Sequence, residues 1–212
     1  MGLVFYDQDG VHMERTCSVR LDRLIFMNPS LRSVLRAWSD IDLKDCWLVA
    51  GCLAQTVWNE KFRLPLEHGV SDLDLVYFDS TDLSAQSEQR NSERVRRVLS
   101  DLPLWVDVKN EARVHVWYEE KFGYPIAPYR SVRDAIDTFP TTATAVGVRP
   151  AEGGVEIYAP FGLTDMFGGI VRANKRQITA QIYEAKVSRW LSHWPNLHIV
   201  PWDESQTIGG PG

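Results

Sequence analysis

The sequence has few cysteines, no long apolar run and no excess of basic residues. Its three cysteines, Cys17, Cys46 and Cys52, are an odd number without a CxxC pair, which argues against a disulfide framework and a cysteine zinc site. No stretch approaches the roughly 20 apolar residues of a membrane helix, and no basic-then-apolar secretory signal is visible. These absences predict a cytoplasmic protein with reduced thiols and no membrane partner.

The formal net charge of −5 argues against a dedicated nucleic-acid-binding protein. The charge is nevertheless uneven along the chain. Residues 71–82 carry four aspartates and no base, whereas residues 171–190 carry five bases and one glutamate. An acidic centre followed by a basic segment suits a metal site with a phosphate-contacting surface. Taken alone, the basic segment is explained equally well as the solvated face of a helix.

Alternating helix and strand patterns predict a mixed α/β fold, in which helices flank a partly antiparallel sheet. The hydrophobic content of 44% over 212 residues is enough for a substantial core. We predict an N-terminal extension over 1–27, a single domain over 28–194 and a C-terminal tail over 195–212. The predicted strands lie at residues 47–50, 73–78, 104–108, 144–148 and 155–158. The predicted helices begin at Asn28-Pro29 and Asn110, and run over residues 53–61, 87–102 and 175–190.

Two aspartates begin the second predicted strand. Because alternate side chains of a strand share a face, Asp72 and Asp74 point to the same side. The strand is otherwise apolar on both faces, and burying an unpaired charge is costly. A divalent cation such as Mg²⁺ or Mn²⁺ would relieve the repulsion between the two carboxylates. The pair therefore predicts a metal site, although an Asp-x-Asp at a strand edge is by itself more often structural than functional.

A third aspartate, Asp107, interrupts the next predicted strand. If the two strands pair, Asp107 joins Asp72 and Asp74 around two cations, and such a centre can orient a triphosphate and activate an acceptor hydroxyl. Upstream, residues 47–52 have the pattern of a strand, a glycine and a helix start. The free N–H groups and the dipole of a helix N-terminus suit a phosphate.

This order of strand, glycine, helix, Asp-x-Asp strand and strand with a lone aspartate resembles the DNA polymerase beta-like nucleotidyltransferase superfamily. The resemblance assigns the phosphate-binding turn to Gly51-Cys52, the paired metal ligands to Asp72 and Asp74, and the third carboxylate to Asp107. It implies a Mg²⁺- or Mn²⁺-dependent nucleotidyltransferase. Such an enzyme moves a nucleoside monophosphate from an NTP to an acceptor hydroxyl on a small molecule, an RNA or a protein.

Two further stretches are similar to the head domain of CCA-adding enzymes. Residues 155–172 resemble the segment that follows its catalytic carboxylates, and residues 139–144 resemble one of its strands more loosely. Residues 47–194 as a whole resemble a bacterial nucleotidyltransferase-like family. The sequence departs from the superfamily at Cys52, where Gly or Ser is usual, so that a thiol, which is a weak hydrogen-bonding group, replaces a hydroxyl.

Two arginines are further candidates for nucleotide contacts. Arg113 follows Asp107 on a predicted helix and can face the acidic centre, whereas Arg172 begins the basic segment and is explained equally well as an exposed base. Two other functions stay open. A catalytically inactive nucleotide-binding or interaction module of the same fold is favoured by Cys52. A glycosyltransferase that uses Asp-x-Asp, Mn²⁺ and a nucleotide-sugar is disfavoured, because such enzymes place the motif after a larger nucleotide-binding half.

Overall fold

The structure, a computed structural model, describes residues 8–205. The outermost parts of the predicted extension and tail, residues 1–7 and 206–212, lie outside this range. The helices within it are α1 (Gln8–Met27), α2 (Pro29–Arg36), α3 (Trp38–Ile41), α4 (Gly51–Lys61), α5 (Ala85–Val98), α6 (Val114–Phe122), α7 (Val132–Ile136), α8 (Thr164–Gly168) and α9 (Ala180–Leu191). The strands are β1 (Trp47–Val49), β2 (Asp72–Tyr77), β3 (Trp105–Asn110), β4 (Gly147–Ala151), β5 (Gly154–Tyr158), β6 (Ile170–Val171) and β7 (His198–Ile199). Short 3₁₀ helices cover Glu111–Arg113 and Trp202–Glu204.

A five-stranded sheet in the order β3-β2-β1-β4-β5 forms the centre of the fold. Only β2 and β3 pair in parallel, and the other neighbours in this sheet are antiparallel. A parallel pair needs a long crossover connection, which α5 supplies between β2 and β3. The predicted mixed α/β fold with a partly antiparallel sheet is therefore confirmed. No helix of residues 8–205 is long and apolar enough to cross a membrane.

Two helix starts predicted from capping residues are confirmed. The side-chain oxygen of Asn28 accepts a hydrogen bond of 3.1 Å from the N–H of Leu31, and Pro29 is the first residue of α2. The first backbone N–H groups of a helix lack partners within it, so a capping side chain satisfies one of them. Asn110 acts in the same way, accepting from the N–H of Ala112 at 3.2 Å, and Gly123 ends α6 in the left-handed conformation.

The two largest errors in predicted element starts concern β4 and the last helix. Strand β4 begins at Gly147 and not at Thr144, because residues 141–145 form a turn in which the N–H groups of Thr144 and Ala145 both donate to the carbonyl of Thr141. The last helix begins at Ala180 and not at Lys175. Its N-cap is Thr179, whose hydroxyl accepts from the N–H of Ile182 at 3.4 Å.

The two faces of the five-stranded sheet are covered by different cores. Leu73 of β2 points to the face that packs against α1 and α4 in the main core. Val76 of β2 and Val49 of β1 point to the other face, which packs against α7 in a smaller core. Because side chains alternate along a strand, Asp72 and Asp74 lie on this second face.

Helix α1 was not predicted from the sequence. Charged residues interrupt the apolar positions over most of its length, yet Leu21, Leu24 and Ile25 are fully buried in the same core as α4. The division of the chain into an extension, a domain and a tail stays a prediction. Within the described range, α1 contributes to the core of the predicted domain.

A buried hydrogen-bonding hub fixes the loop that leads into β2. The amide of Asn59, which is fully buried, donates to the carbonyls of Leu66 at 3.0 Å and His68 at 2.8 Å. Its oxygen accepts from the indole of Trp194 at 2.7 Å.

Asn59→Ala leaves these groups buried without partners, so we expect the free energy of unfolding in urea to fall by about 2 kcal/mol. Asn196→Ala, at an exposed position, is the control, and its free energy of unfolding should change by no more than about 0.5 kcal/mol. Equal losses of stability in both variants would show that the hydrogen bonds of Asn59 do not stabilise this loop.

Candidate functional site

A cavity of about 340 Å³ opens on the second face of the sheet. We call it the acidic cavity, and define it by Gly51 at the start of α4, by Asp72 and Asp74 on β2, and by Lys186 and Arg189 on α9. The predicted acidic strand, the predicted phosphate turn and part of the basic segment therefore meet at one place.

The pairing of β2 with β3 brings the third aspartate next to Asp74, although Asp107 is not among the residues that line the acidic cavity. In the parallel register Asp74 lies directly beside Asp107, and on the other side of Asp74 the partner in β1 is Val49. The pairing of the two aspartate-bearing strands, which the sequence left as a condition, is thus present. The Asp107 carboxylate is 3.3 Å from the Nζ of Lys109, which lines the acidic cavity.

The electrostatics of the site centre on Asp74. Burial is the largest cause that raises the pKa of Asp74 to about 7, and the nearby carboxylates of Asp72 and Asp107 raise it further. Lys186 and Lys109 act in the opposite direction. Among residues 8–205 no hydrogen-bond or ion-pair partner reaches the Asp74 carboxylate, so at neutral pH this group is close to half ionised and available.

The available carboxylates suit a hard divalent cation. In the described part of the chain, no three His, Cys, Asp or Glu side chains form a ready-made metal cluster. Asp72 accepts from the hydroxyl of Ser71 at 2.7 Å, and Asp107 faces Lys109. Mg²⁺ usually binds through one or two carboxylates together with substrate phosphates, and seldom in an all-protein cage. The donor set therefore fits a cation that arrives with a phosphate-bearing substrate.

The junction between β1 and α4 forms one wall of the acidic cavity. Gly51 lines the cavity as the first residue of an 11-residue helix. The first N–H groups of a helix lack intrahelical partners, and its dipole is positive at this end. The thiol of Cys52 lies in the core, 1% exposed, and donates to the carbonyl of Val49 at 3.4 Å. Of the predicted pair Gly51-Cys52, the backbone can meet a phosphate, whereas the thiol faces away.

Ala50, just before α4, has a strained backbone with φ 63° and ψ −126°. A positive φ of this kind favours glycine and costs an L-residue about 1–3 kcal/mol.

Ala50→Gly is therefore expected to raise the free energy of unfolding by about 1 kcal/mol in a urea titration. Ala54→Gly, in the interior of the same helix, is the matched control and should lower it by about 1 kcal/mol. A loss of stability in both variants would show that residue 50 is not strained.

Helix α9 contributes two cations on one side. Lys186 and Arg189 are three residues apart, a spacing that places side chains on the same helix face, and both line the acidic cavity. Burial and the neighbouring Arg189 lower the pKa of Lys186, whereas Asp74 and Asp72 oppose that change. The pair forms a cationic wall next to the aspartates.

The two arginines predicted to contact nucleotide lie outside the acidic cavity, and their contact with a nucleotide stays a prediction. Arg113 forms a buried ion pair of 2.8 Å with Glu88 and donates to the carbonyl of Leu83, so it joins the 3₁₀ turn to α5. Arg172 donates to Asp165 at 3.1 Å. Neither lines the acidic cavity, because each guanidinium already pairs with a carboxylate.

One acidic residue at the site was missed in the sequence. Glu111 is only 6% exposed and lines the acidic cavity. It begins the 3₁₀ helix that follows β3 and continues the alternate spacing of Asp107 and Lys109 along the sequence, which was the available signal. Because a helix was predicted to begin after Asn110, the alternate spacing was not extended to Glu111.

Comparisons with known proteins give two matches. The sequence model of a family described as nucleotidyltransferase matches residues 36–199. A protein whose NMR structure is described as revealing a CCA-adding enzyme head domain is 27% identical and superposes with a TM-score of 0.69. That alignment covers 85% of this chain and 94% of the other. No curated protein matches the chain.

Proposed function

The chain belongs to the nucleotidyltransferase family, and on that premise we propose that its acidic cavity moves a nucleoside monophosphate from an NTP to an acceptor hydroxyl with Mg²⁺ or Mn²⁺. One observation carries the proposal. Asp74, which lies beside Asp107 in the sheet, lines a cavity together with Asp72, the start of α4 and the cations of α9. Carboxylates and phosphate-binding groups thus face a common space.

The positively charged groups of the cavity would bind the triphosphate. The N-terminus of α4 at Gly51 presents backbone N–H groups to an anion. Lys186 and Arg189 face the same space from α9 and neutralise the β- and γ-phosphates through charge-assisted hydrogen bonds. This arrangement directs the α-phosphate toward the aspartates.

The three aspartates would hold the cations. Asp72 and Asp74 share a strand face and would ligate both ions, while Asp107, beside Asp74, would ligate one. When bound, divalent cations polarise the phosphoryl oxygens and neutralise the charge that develops on the leaving group. Asp74 must lose its proton to serve as a ligand, and its pKa of about 7 allows this near neutral pH.

The transfer step forms one bond and breaks one. The acceptor oxygen bonds to the α-phosphorus, and the bond from that phosphorus to the oxygen bridging to the β-phosphate breaks. Asp107 accepts the hydroxyl proton, and pyrophosphate leaves with the pair of electrons from the broken bond. Catalysis of this kind depends mainly on positioning and electrostatic stabilisation, which the rigid β2–β3 pair supplies to the carboxylates.

Calorimetric titration with ATP, GTP, CTP and UTP, each with Mg²⁺ and with EDTA, tests this proposal without knowledge of the acceptor. We expect at least one NTP to bind in the presence of Mg²⁺, and to bind much more weakly in EDTA. Binding of no nucleotide under either condition would contradict the proposal. Nucleotide binding with no release of pyrophosphate, across small-molecule, RNA and protein acceptor pools, would favour an inactive nucleotide-binding module.

A further inference from the structure

A second cavity of about 400 Å³ adjoins the acidic cavity. Both cavities are lined by Glu111, Trp117 and Phe139, so a ligand in one can extend into the other. The second cavity has further aromatic walls from Tyr118 and Tyr129. We call it the aromatic chamber, defined by these five residues.

The tyrosine hydroxyls at the chamber are already engaged with the protein. Tyr118 donates to the carbonyl of Gln177 at 3.2 Å, and Tyr124 donates to the same carbonyl. Tyr129 donates to the side-chain oxygen of Gln177 at 2.9 Å and lies 2.8 Å from the hydroxyl of Thr138. These residues therefore present their ring surfaces, and not free hydroxyls, to a ligand.

Glu111 is the exception, because its carboxyl has no such partner. It is buried, lines both cavities, and receives no hydrogen bond or ion pair from the residues described, 8–205. The nearest basic residue along the strand, Lys109, is paired with Asp107 at 3.3 Å. Buried polar side chains are nearly always hydrogen-bonded, and an unpaired one at a cavity wall indicates that a ligand supplies the missing bonds.

We infer that the aromatic chamber holds the base of the nucleotide, and that the Glu111 carboxyl hydrogen-bonds to the edge of that base. The inference rests on the proposed function, since it needs the triphosphate in the adjoining acidic cavity. Aromatic side chains stack on nucleobases, and ligand pockets are mostly apolar with a few well-placed polar groups. The chamber combines both features with direct access to the aspartates.

The charges around the chamber favour a base over a cationic acceptor. Lys109, Lys121 and Lys186 all line it, and they would repel a positively charged small molecule. A neutral heterocycle attached to an anionic triphosphate suffers no such repulsion. A volume of about 400 Å³ also suits one small planar group and excludes a folded macromolecule.

Burial raises the pKa of Glu111 to about 8, with Glu88 and Asp74 adding to the effect, so its carboxyl can both donate and accept at neutral pH.

The test compares the four NTPs with inorganic tripolyphosphate by calorimetry in Mg²⁺. We expect the wild type to bind one NTP more tightly than the other three and more tightly than tripolyphosphate. Glu111→Leu should weaken the binding of that NTP at least about tenfold and leave the binding of tripolyphosphate unchanged. Trp117→Ala, which removes a stacking surface on the half-exposed side of α6, should weaken all four NTPs about tenfold relative to tripolyphosphate. Glu120→Leu, at an exposed position of the same helix, is the matched control and should change nothing.

Several outcomes would overturn the inference. If the wild type bound the four NTPs and tripolyphosphate with equal affinity, the phosphate groups would account for all of the binding. This result would contradict a pocket for the base. Equal weakening of tripolyphosphate by Glu111→Leu, an unchanged NTP preference in this variant, or NTP affinities in Trp117→Ala that do not fall relative to that of tripolyphosphate would do the same. Circular dichroism checks each variant for folding, and Trp117→Ala decides the question if Glu111→Leu does not fold. No binding of any NTP or of tripolyphosphate by the wild type would overturn the proposed function as well.

Discussion

Asp74→Asn is expected to lower nucleotidyl transfer by about a thousandfold while leaving the protein folded. Asparagine keeps the size of the side chain and removes the negative charge that would hold a divalent cation. Asp74 lies between Val49 and Asp107 in the sheet, so no other carboxylate can take its position without moving a strand. Pyrophosphate release with a saturating NTP measures the loss.

The same variant is expected to be more stable at high pH in EDTA. The Asp74 carboxyl has an ordinary pKa of 3.8, and in the folded protein burial and its two acidic neighbours raise this pKa to about 7. Between these values the folded state binds more protons than the unfolded state, so the free energy of unfolding falls as the pH rises. Asparagine does not titrate. Its stabilising effect should therefore be larger at about pH 8 than at about pH 5, by on the order of 2 kcal/mol.

Asp101→Asn is the control for both measurements, since it makes the same change at an exposed position between α5 and β3. It should leave transfer and the pH dependence of unfolding as they are in the wild type. An Asp74→Asn protein that retains full activity would show that this carboxylate takes no part in the reaction. Unfolding of this variant, combined with a wild type that binds no divalent ion, would show that the aspartates are structural.

The second large effect is expected for Lys186→Met, which should weaken the binding of an NTP and of tripolyphosphate by about a hundredfold. Each charge-assisted hydrogen bond contributes about 1.5–3 kcal/mol, and every 1.4 kcal/mol is about tenfold in affinity. Methionine has a similar length and fills the buried space of the lysine stem. The loss of the cation also raises the pKa of Asp74 further, because Lys186 lowers it in the wild type. Metal-dependent binding should therefore shift to higher pH.

Lys44→Met is the matched control, because Lys44 is 65% exposed and lies 3.8 Å from Asp79, outside the acidic cavity. Calorimetry in Mg²⁺ should show wild-type affinity for this variant. Equal weakening in both variants would indicate a general effect of net charge. Unchanged affinity of Lys186→Met for the NTP and for tripolyphosphate would show that Lys186 of α9 does not bind the phosphates.

The fold and the acidic strand pair were predictable because they depend on local patterns. Alternation in β2 placed Asp72 and Asp74 on one face, and Asp107 interrupted a second apolar strand in the same way. Their order along the chain led to the nucleotidyltransferase superfamily and the CCA-adding enzyme head domain, and the comparisons confirm both likenesses. The pairing of β2 with β3 then brought the aspartates together.

The basic residues of the site could not be assigned in the same way. The sequence offers many cations, and only the folded structure shows which of them already have carboxylate partners. Arg113 is paired with Glu88 and Arg172 with Asp165, so neither reaches the cavity. Lys186 does reach it from a helix whose start was predicted five residues too early.

The strand–helix junction shows a second limit of sequence reasoning. Cys52 suggested weak phosphate binding, since a thiol replaces the usual Gly or Ser. In the structure that side chain lies in the core, so its chemistry has little bearing on the cavity. The strained position is instead Ala50. Backbone dihedral angles depend on how β1 and α4 pack, and a single residue type does not report them.

Titration with Mn²⁺ and an NTP, followed by amide NMR spectra, tests the central claim most directly. Paramagnetic Mn²⁺ broadens the signals of nearby residues and so reports where the cation binds. We expect the signals of Gly51, Asp72, Asp74 and Asp107 to broaden first, and to stay sharp in Asp74→Asn. Broadening confined to Asp79 and Asp82, which lie after the end of β2, and unchanged by Asp74→Asn, would contradict a metal-nucleotide site between the aspartates and α4.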